Sequence, residues 1–124
     1  MSRRDDAWLT DIVHAVDVIH EYVTEGSLVD GLTYDACRAR LIEIGEAVKN
    51  IDRNLLLKAP TIHWQEIARM RDQLAHHYFD TDHAVVTYVI QEELTPLRVA
   101  AVMLLEEAAS ITDAPEGEFP TPEL

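Results

Sequence analysis

The chain has 124 residues, 23 acidic and 10 basic side chains, a net charge of −13 and 48% apolar residues. That length suits one core, that apolar fraction argues against general disorder, and four glycines with 6% aromatics argue against sandwiches and barrels. The acidity at first argues against nucleic acid, because phosphate binding needs clustered positive charge.

The first ten residues, MSRRDDAWLT, place no apolar run behind their two arginines, so no signal peptide is expected. No stretch approaches the roughly 18 apolar residues of a membrane span. The single cysteine, Cys37, excludes an intrachain disulfide and suits a reducing cytoplasm. The expectation is a soluble cytoplasmic protein.

Leu9, Ile12, Val16, Ile19 and Val23 step by three and four, which predicts an amphipathic helix over about residues 5–24. Trp8 on it reads as a core or interface anchor. Gly26 and Gly31 bracket a turn. Thr33 is the expected N-cap of a second helix carrying Leu41, Ile44, Val48 and Ile51. On its inner face Cys37 reads as a small apolar residue, and Gly45 allows close approach of another helix. Residues 52–60 form a connection with room for one helical turn, ended by Pro60.

A third helix is predicted from about Thr61 to His77, with Trp64, Ile67, Met70 and Leu74 on its apolar stripe. Residues 79–82 then read as a loop in which Asp82 caps the next helix. The last helical region spans about 83–109, with a kink or restart expected at Thr95-Pro96. Residues 1–110 form the domain. The tail, 111–124, holds three prolines and four acids and reads as disordered. Its composition favours disorder without a specific role over a contact arm for a partner or a solubilising extension. The fold class is all-α, an antiparallel bundle of four to five helices.

The chemistry gathers at MRDQLAHHYFD. Arg71 falls about 20° from Trp64 on an ideal helix, at the edge of the apolar stripe. A guanidinium there has to pair with an acid or face a partner surface. His76 lies about 140° further round, so the two do not share a face. Their convergence needs a frayed helix end, long reach or a second copy of the chain. Taken alone, His76 is a dipole-stabilising surface residue and Tyr78 a packing anchor.

Together they give the spacing R-x4-H-x-Y within W-x-x-I-x-x-M-R-D-x-L-x-H-x-Y-F-D. This string resembles the motif region of the HepT family of HEPN-domain toxins. Arg40 to Ala47, with its IGEA run, looks like that family's second helix, and the resemblance extends over about residues 7–108. It implies a HEPN-type bundle that forms a homodimer and cleaves RNA, tRNA above all, without metal. Two facing motifs would build one composite site. His76 would be the acid/base group and Arg71 the phosphate clamp. Asp72 would orient one of them, or be a solvated acid. His77 departs from the family's usual small or polar residue; it faces solvent or adds a donor to the RNA groove. The resemblance also implies an MntA-like nucleotidyltransferase antitoxin that transfers AMP to Tyr78. The alternative reading is a non-catalytic module that partners the nucleotidyltransferase and accepts AMP from it.

His63, His77, His83, Asp80 and Asp82 raise the question of a metal. Adjacent residues diverge by about 100° on a helix and no HxxxH or HExxH spacing occurs, so neither metal nor cofactor is expected. The charge is also uneven. Residues 38–71 hold seven of the ten basic residues and carry +3, while the rest carries −16. The acidity therefore leaves room for a local RNA groove on a repelling body.

Overall fold

The computed structural model describes the backbone of residues 3–76 and 79–113, and the side chains of 4–76 and 83–107. The helices in chain order are α1 (Arg3–Glu25), α2 (Gly31–Asn50), α3 (Arg53–Leu56), α4 (Trp64–Ala75), α5 (Phe79–Tyr88) and α6 (Leu94–Asp113), with a π-helical turn at Val89–Glu93 between the last two. No strand occurs among the described residues. The fold is an all-α HEPN-type bundle. α2 packs between α1 and α4, and α1 between α2 and α6.

The apolar spacing forms the core. Leu9, Ile12, Val16 and Ile19 are fully buried on α1, and they meet Leu41, Ile44 and Val48 from α2. Trp64, Ile67, Met70 and Leu74 bury one face of α4. Each fully buried aliphatic side chain contributes about 1.5–3 kcal/mol by leaving water. Cys37 is buried among them, and burial pushes its thiol up.

Helix ends differ from expectation where local caps decide. Asp30, not Thr33, caps α2: its carboxylate accepts from the Leu32 N–H at 3.4 Å. The Thr33 hydroxyl donates to the same carboxylate at 3.2 Å. Gly31 therefore opens the helix rather than ending a turn. The connection does contain one helical turn, α3, capped by Asp52. The buried Asp5 carboxylate of α1 accepts from the Asp52 N–H at 3.2 Å and ties this turn to the first helix. Trp64 donates its indole N–H to the Ala59 carbonyl at 3.0 Å, which fixes the entry into α4. Residues 61–63 stay outside that helix.

Residues 79–82 belong to α5 and not to a loop. Asp80 and Asp82 thus fall in its first turn, and Asp82 is internal to the helix it was expected to cap. The break in the last helical region lies one turn before Thr95-Pro96. An α-helix running through Pro96 would lack its N–H and press its ring on the Glu92 carbonyl. The π turn widens the backbone there, and the Leu94 N–H reaches back five residues to the Val89 carbonyl. α6 continues to Asp113, past position 110. His77, Tyr78 and the tail from 114 onward lie outside the described residues.

Candidate functional site at the end of α4

Gly45 sets the distance between α2 and α4. A β-carbon at this position would overlap the Arg71 Cβ and stand 3.1 Å from the Ile67 carbonyl oxygen. The two backbones therefore approach closely, and Arg71 leaves α4 directly over α2. Its side chain is 36% exposed. The buried Nε faces Glu46 Oε1 at 3.1 Å, an ion pair whose N–H is not aligned for a hydrogen bond. One Nη donates to Asp72 Oδ1 at 3.1 Å.

Asp72 joins the cluster on both of its acceptor groups. Its carboxylate also receives Lys49 Nζ of α2 at 3.2 Å. Lys49 first and then Arg71 hold the Asp72 carboxyl below the ordinary carboxylate value. Its main-chain carbonyl is hydrogen-bonded to His76 Nδ1. A carbonyl only accepts, so Nδ1 carries the proton and the neutral ring keeps its lone pair on Nε2.

His76 is the C-cap of α4 and its side chain is exposed. The helix end beneath it is held from α2, where Arg38 donates to the Leu74 carbonyl. Asp72 is thus the residue through which Arg71 and His76 connect: its carboxylate contacts the first, its carbonyl the second. Glu46, Lys49 and Arg38 were not singled out as site residues from the sequence. Glu46 does stand in the IGEA run, next to the glycine that allows the close approach. His77 and Tyr78, the other two expected site residues, lie outside the described residues.

Beside Arg71 a cavity of about 420 Å³ opens between α1 and α2. It is lined by Trp8, Asp11, His14, Glu43 and Glu46, three of them acids. The buried Trp8 indole N–H has no hydrogen-bond partner among the described residues. Among the described residues no three His, Cys, Asp or Glu side chains form a metal-ligand set, and no helix is long and apolar enough to cross a membrane.

The Ribonuclease HepT-like family matches residues 12–104. The chain belongs to the HepT-like family. A probable ribonuclease HepT of Thermococcus cleftensis is 37% identical over 102 residues, covering 79% of this chain and 93% of that protein. A candidate RNase of Methanocaldococcus jannaschii is 33% identical over 88 residues, 68% of this chain and 73% of the relative. A second from the same organism is 32% identical over 103 residues, with coverage of 79% and 89%. No solved structure matches the chain at a significant level. The matched span in the HepT-like chain contains Gly45, Glu46, Arg71, Asp72 and His76.

Proposed function

We propose that this HepT-like chain is a metal-independent endoribonuclease toxin. The observation that carries the reading is the sharing of Asp72, whose carboxylate contacts Arg71 while its carbonyl fixes the His76 tautomer. RNA supplies its own nucleophile, the 2'-hydroxyl beside the scissile phosphate. His76 Nε2 takes that proton as the 2'-oxygen bonds to phosphorus. The bond from phosphorus to the 5'-oxygen breaks, and that oxygen takes up a proton. Arg71 turns its fork to the phosphate, whose charge grows in the transition state. The products are a 2',3'-cyclic phosphate and a 5'-hydroxyl.

In this reading residues 1–110 form the catalytic bundle, 111–124 is an acidic extension, and two copies make a homodimer with facing motifs. The substrate is tRNA. An MntA-like nucleotidyltransferase antitoxin transfers AMP to the Tyr78 hydroxyl, adding negative charge that repels the phosphate. His77 lines the RNA groove as an extra donor. Family membership and the RNase names of the relatives support the RNA-directed part. The antitoxin, the tyrosine and the tRNA come from the family resemblance.

The test is purified protein with tRNA in excess EDTA. Cleavage to cyclic-phosphate ends is expected, and its loss in a folded His76→Ala variant. Cleavage that appears only after metal is restored overturns the mechanism. Intact mass after co-expression with the nucleotidyltransferase tests the second part: an AMP adduct is expected on the wild type and none on Tyr78→Phe.

A further inference from the structure

The basic stretch from 38 to 71 is largely used up in internal pairs. Arg38 holds the Leu74 carbonyl, Arg40 pairs with Glu43, Lys49 with Asp72, Lys58 with Glu107, and Arg71 with Glu46 and Asp72. Arg53 and Arg69 are different. Both are exposed, and among the described residues neither has an ion-pair partner. In a chain with 23 acids this is a specific omission.

Both arginines line the same cleft, a space of about 480 Å³ between the end of α2, α3 and the start of α4. Lys49 lines it as well, and Lys49 also contacts Asp72. Lys49 thus stands between the cleft and the Arg71–Asp72–His76 cluster. Among the described residues Glu66 is the cleft's only acid. Ile51, Leu56, Pro60, Ile62 and Trp64 give it an apolar wall, and His63 and Gln65 add polar groups at the entry to α4. α4 faces it with Trp64, Gln65 and Glu66 of its first turn. The cavity on the other side of Arg71 has three acids and would repel a polyanion.

We infer that the α2–α3–α4 cleft is a second subsite for the RNA strand, taking a nucleotide beside the scissile one. Arg53 and Arg69 hold its phosphates, and its base lies against the apolar wall. A protein segment rich in acids would match the cations equally. The position of Lys49, lining the cleft and touching the Asp72 of the phosphate clamp, favours RNA, because a strand held at the clamp passes the cations of the cleft. The inference rests on the ribonuclease reading above.

The experiment uses the full chain with His76→Ala, which blocks cleavage, and a fluorescein-labelled single-stranded RNA of about 20 nucleotides. Anisotropy gives the affinity at several salt concentrations. Adding R53Q and R69Q is expected to weaken binding about tenfold and to lower the slope of log K against log salt by about 1.4, roughly 0.7 for each lost phosphate contact. Lysine at both positions retains the slope. Cleavage by the otherwise wild-type R53Q/R69Q chain should show a raised KM on this RNA and an unchanged rate on a dinucleotide that reaches only the Arg71–His76 site.

A wild-type chain that cleaves RNA, paired with an R53Q/R69Q chain of unchanged affinity and slope, overturns the subsite and leaves the ribonuclease reading intact. A wild-type chain that neither binds nor cleaves RNA overturns both. Unchanged RNA binding, with lost binding of a synthetic peptide of residues 111–124, assigns the cleft to a protein segment and overturns the inference.

Discussion

Gly45 and Arg71 touch so closely that the arginine's position is fixed by the absence of a side chain on the neighbouring helix. A β-carbon on residue 45 would fall on the Arg71 Cβ and against the α4 backbone. The clamp is placed by packing between α2 and α4, and the Glu46 and Asp72 carboxylates then aim it.

Gly45→Ala measures that contact. Alanine is ordinarily the better helix former by about 0.8–1.0 kcal/mol. Overlap in a packed interface opposes this with about 1–3 kcal/mol, and here the overlapping atoms include backbone that cannot rotate away. Urea denaturation is expected to show a net loss of roughly 1–2 kcal/mol. RNA cleavage should fall further than the unfolded fraction explains, because Arg71 moves with α4. An alanine variant as stable as the wild type sinks the argument.

Asp72→Asn separates the charge of this residue from its backbone. The carbonyl that holds His76 remains, while the ion pairs to Lys49 and Arg71 are lost. Cleavage at neutral pH should fall about tenfold. The pH dependence has a definite sign. The native carboxyl sits below its ordinary value of 3.8, so its contribution to stability is complete above that value and disappears as pH falls through the lowered native one. Thermal melts of wild type and Asp72→Asn should differ by a constant amount from neutral pH down to about pH 5 and converge only below about pH 4. A gap that closes nearer neutrality would mean that another group controls it.

Arg38 supports the other end of the motif. Its guanidinium donates to the Leu74 carbonyl, an acceptor in the last turn of α4. Arg38→Gln should lower stability by about 1–2 kcal/mol, as expected for a charge-assisted hydrogen bond. Faster amide hydrogen exchange should be confined to the last turn of α4. Uniformly faster exchange over the bundle would assign Arg38 to the core instead.

The apolar stripes made most of this architecture legible. Leu9 to Ile19 and Trp64 to Leu74 followed helical spacing, and the structure buries both sets. Two local features were harder to read. Thr33 and Asp30 are both good caps, and choosing between them requires knowing which carboxylate reaches a free N–H. The π turn left a trace that proline obscured: the buried residues step by three and four except between Val89 and Leu94, which are five apart. Pro96 drew the break to itself, although its backbone effect falls on the turn before it.

The candidate site was legible as residue types at a spacing. Arg71 was placed at the edge of an apolar stripe and needed an acid or a partner. Glu46 is that acid, and it comes from a different helix, which no single-helix projection can supply. The 140° between Arg71 and His76 looked like an obstacle to cooperation within one copy. Asp72 offers a connection that depends on a main-chain oxygen, and main-chain oxygens have no signature in a residue pattern.

Cys37 offers a check on the bundle as a whole. The thiol is fully buried and burial raises it above its ordinary value of 9.0, so it is both covered and protonated at neutral pH. A thiol-specific disulfide reagent at about pH 8 should react only as fast as the core opens, and the rate should rise with urea in step with unfolding. Immediate reaction of the native protein would contradict the packing of α2 against α1.

The π turn between α5 and α6 is, in effect, a one-residue insertion that the helix carries without losing its buried face. Val86 before it, Val89 at its first position and Leu94 and Leu97 after it point into the same core, although the count from Val89 to Leu94 is one too many for an α-helix. Removing one residue between 90 and 93 would restore continuous α-helical spacing and keep both pairs inside. Pro96 would then stand in the interior of an unbroken helix, at about 3 kcal/mol. Chain length at this point and the identity of residue 96 are therefore coupled: a shorter helix can be reached only by replacing the proline as well.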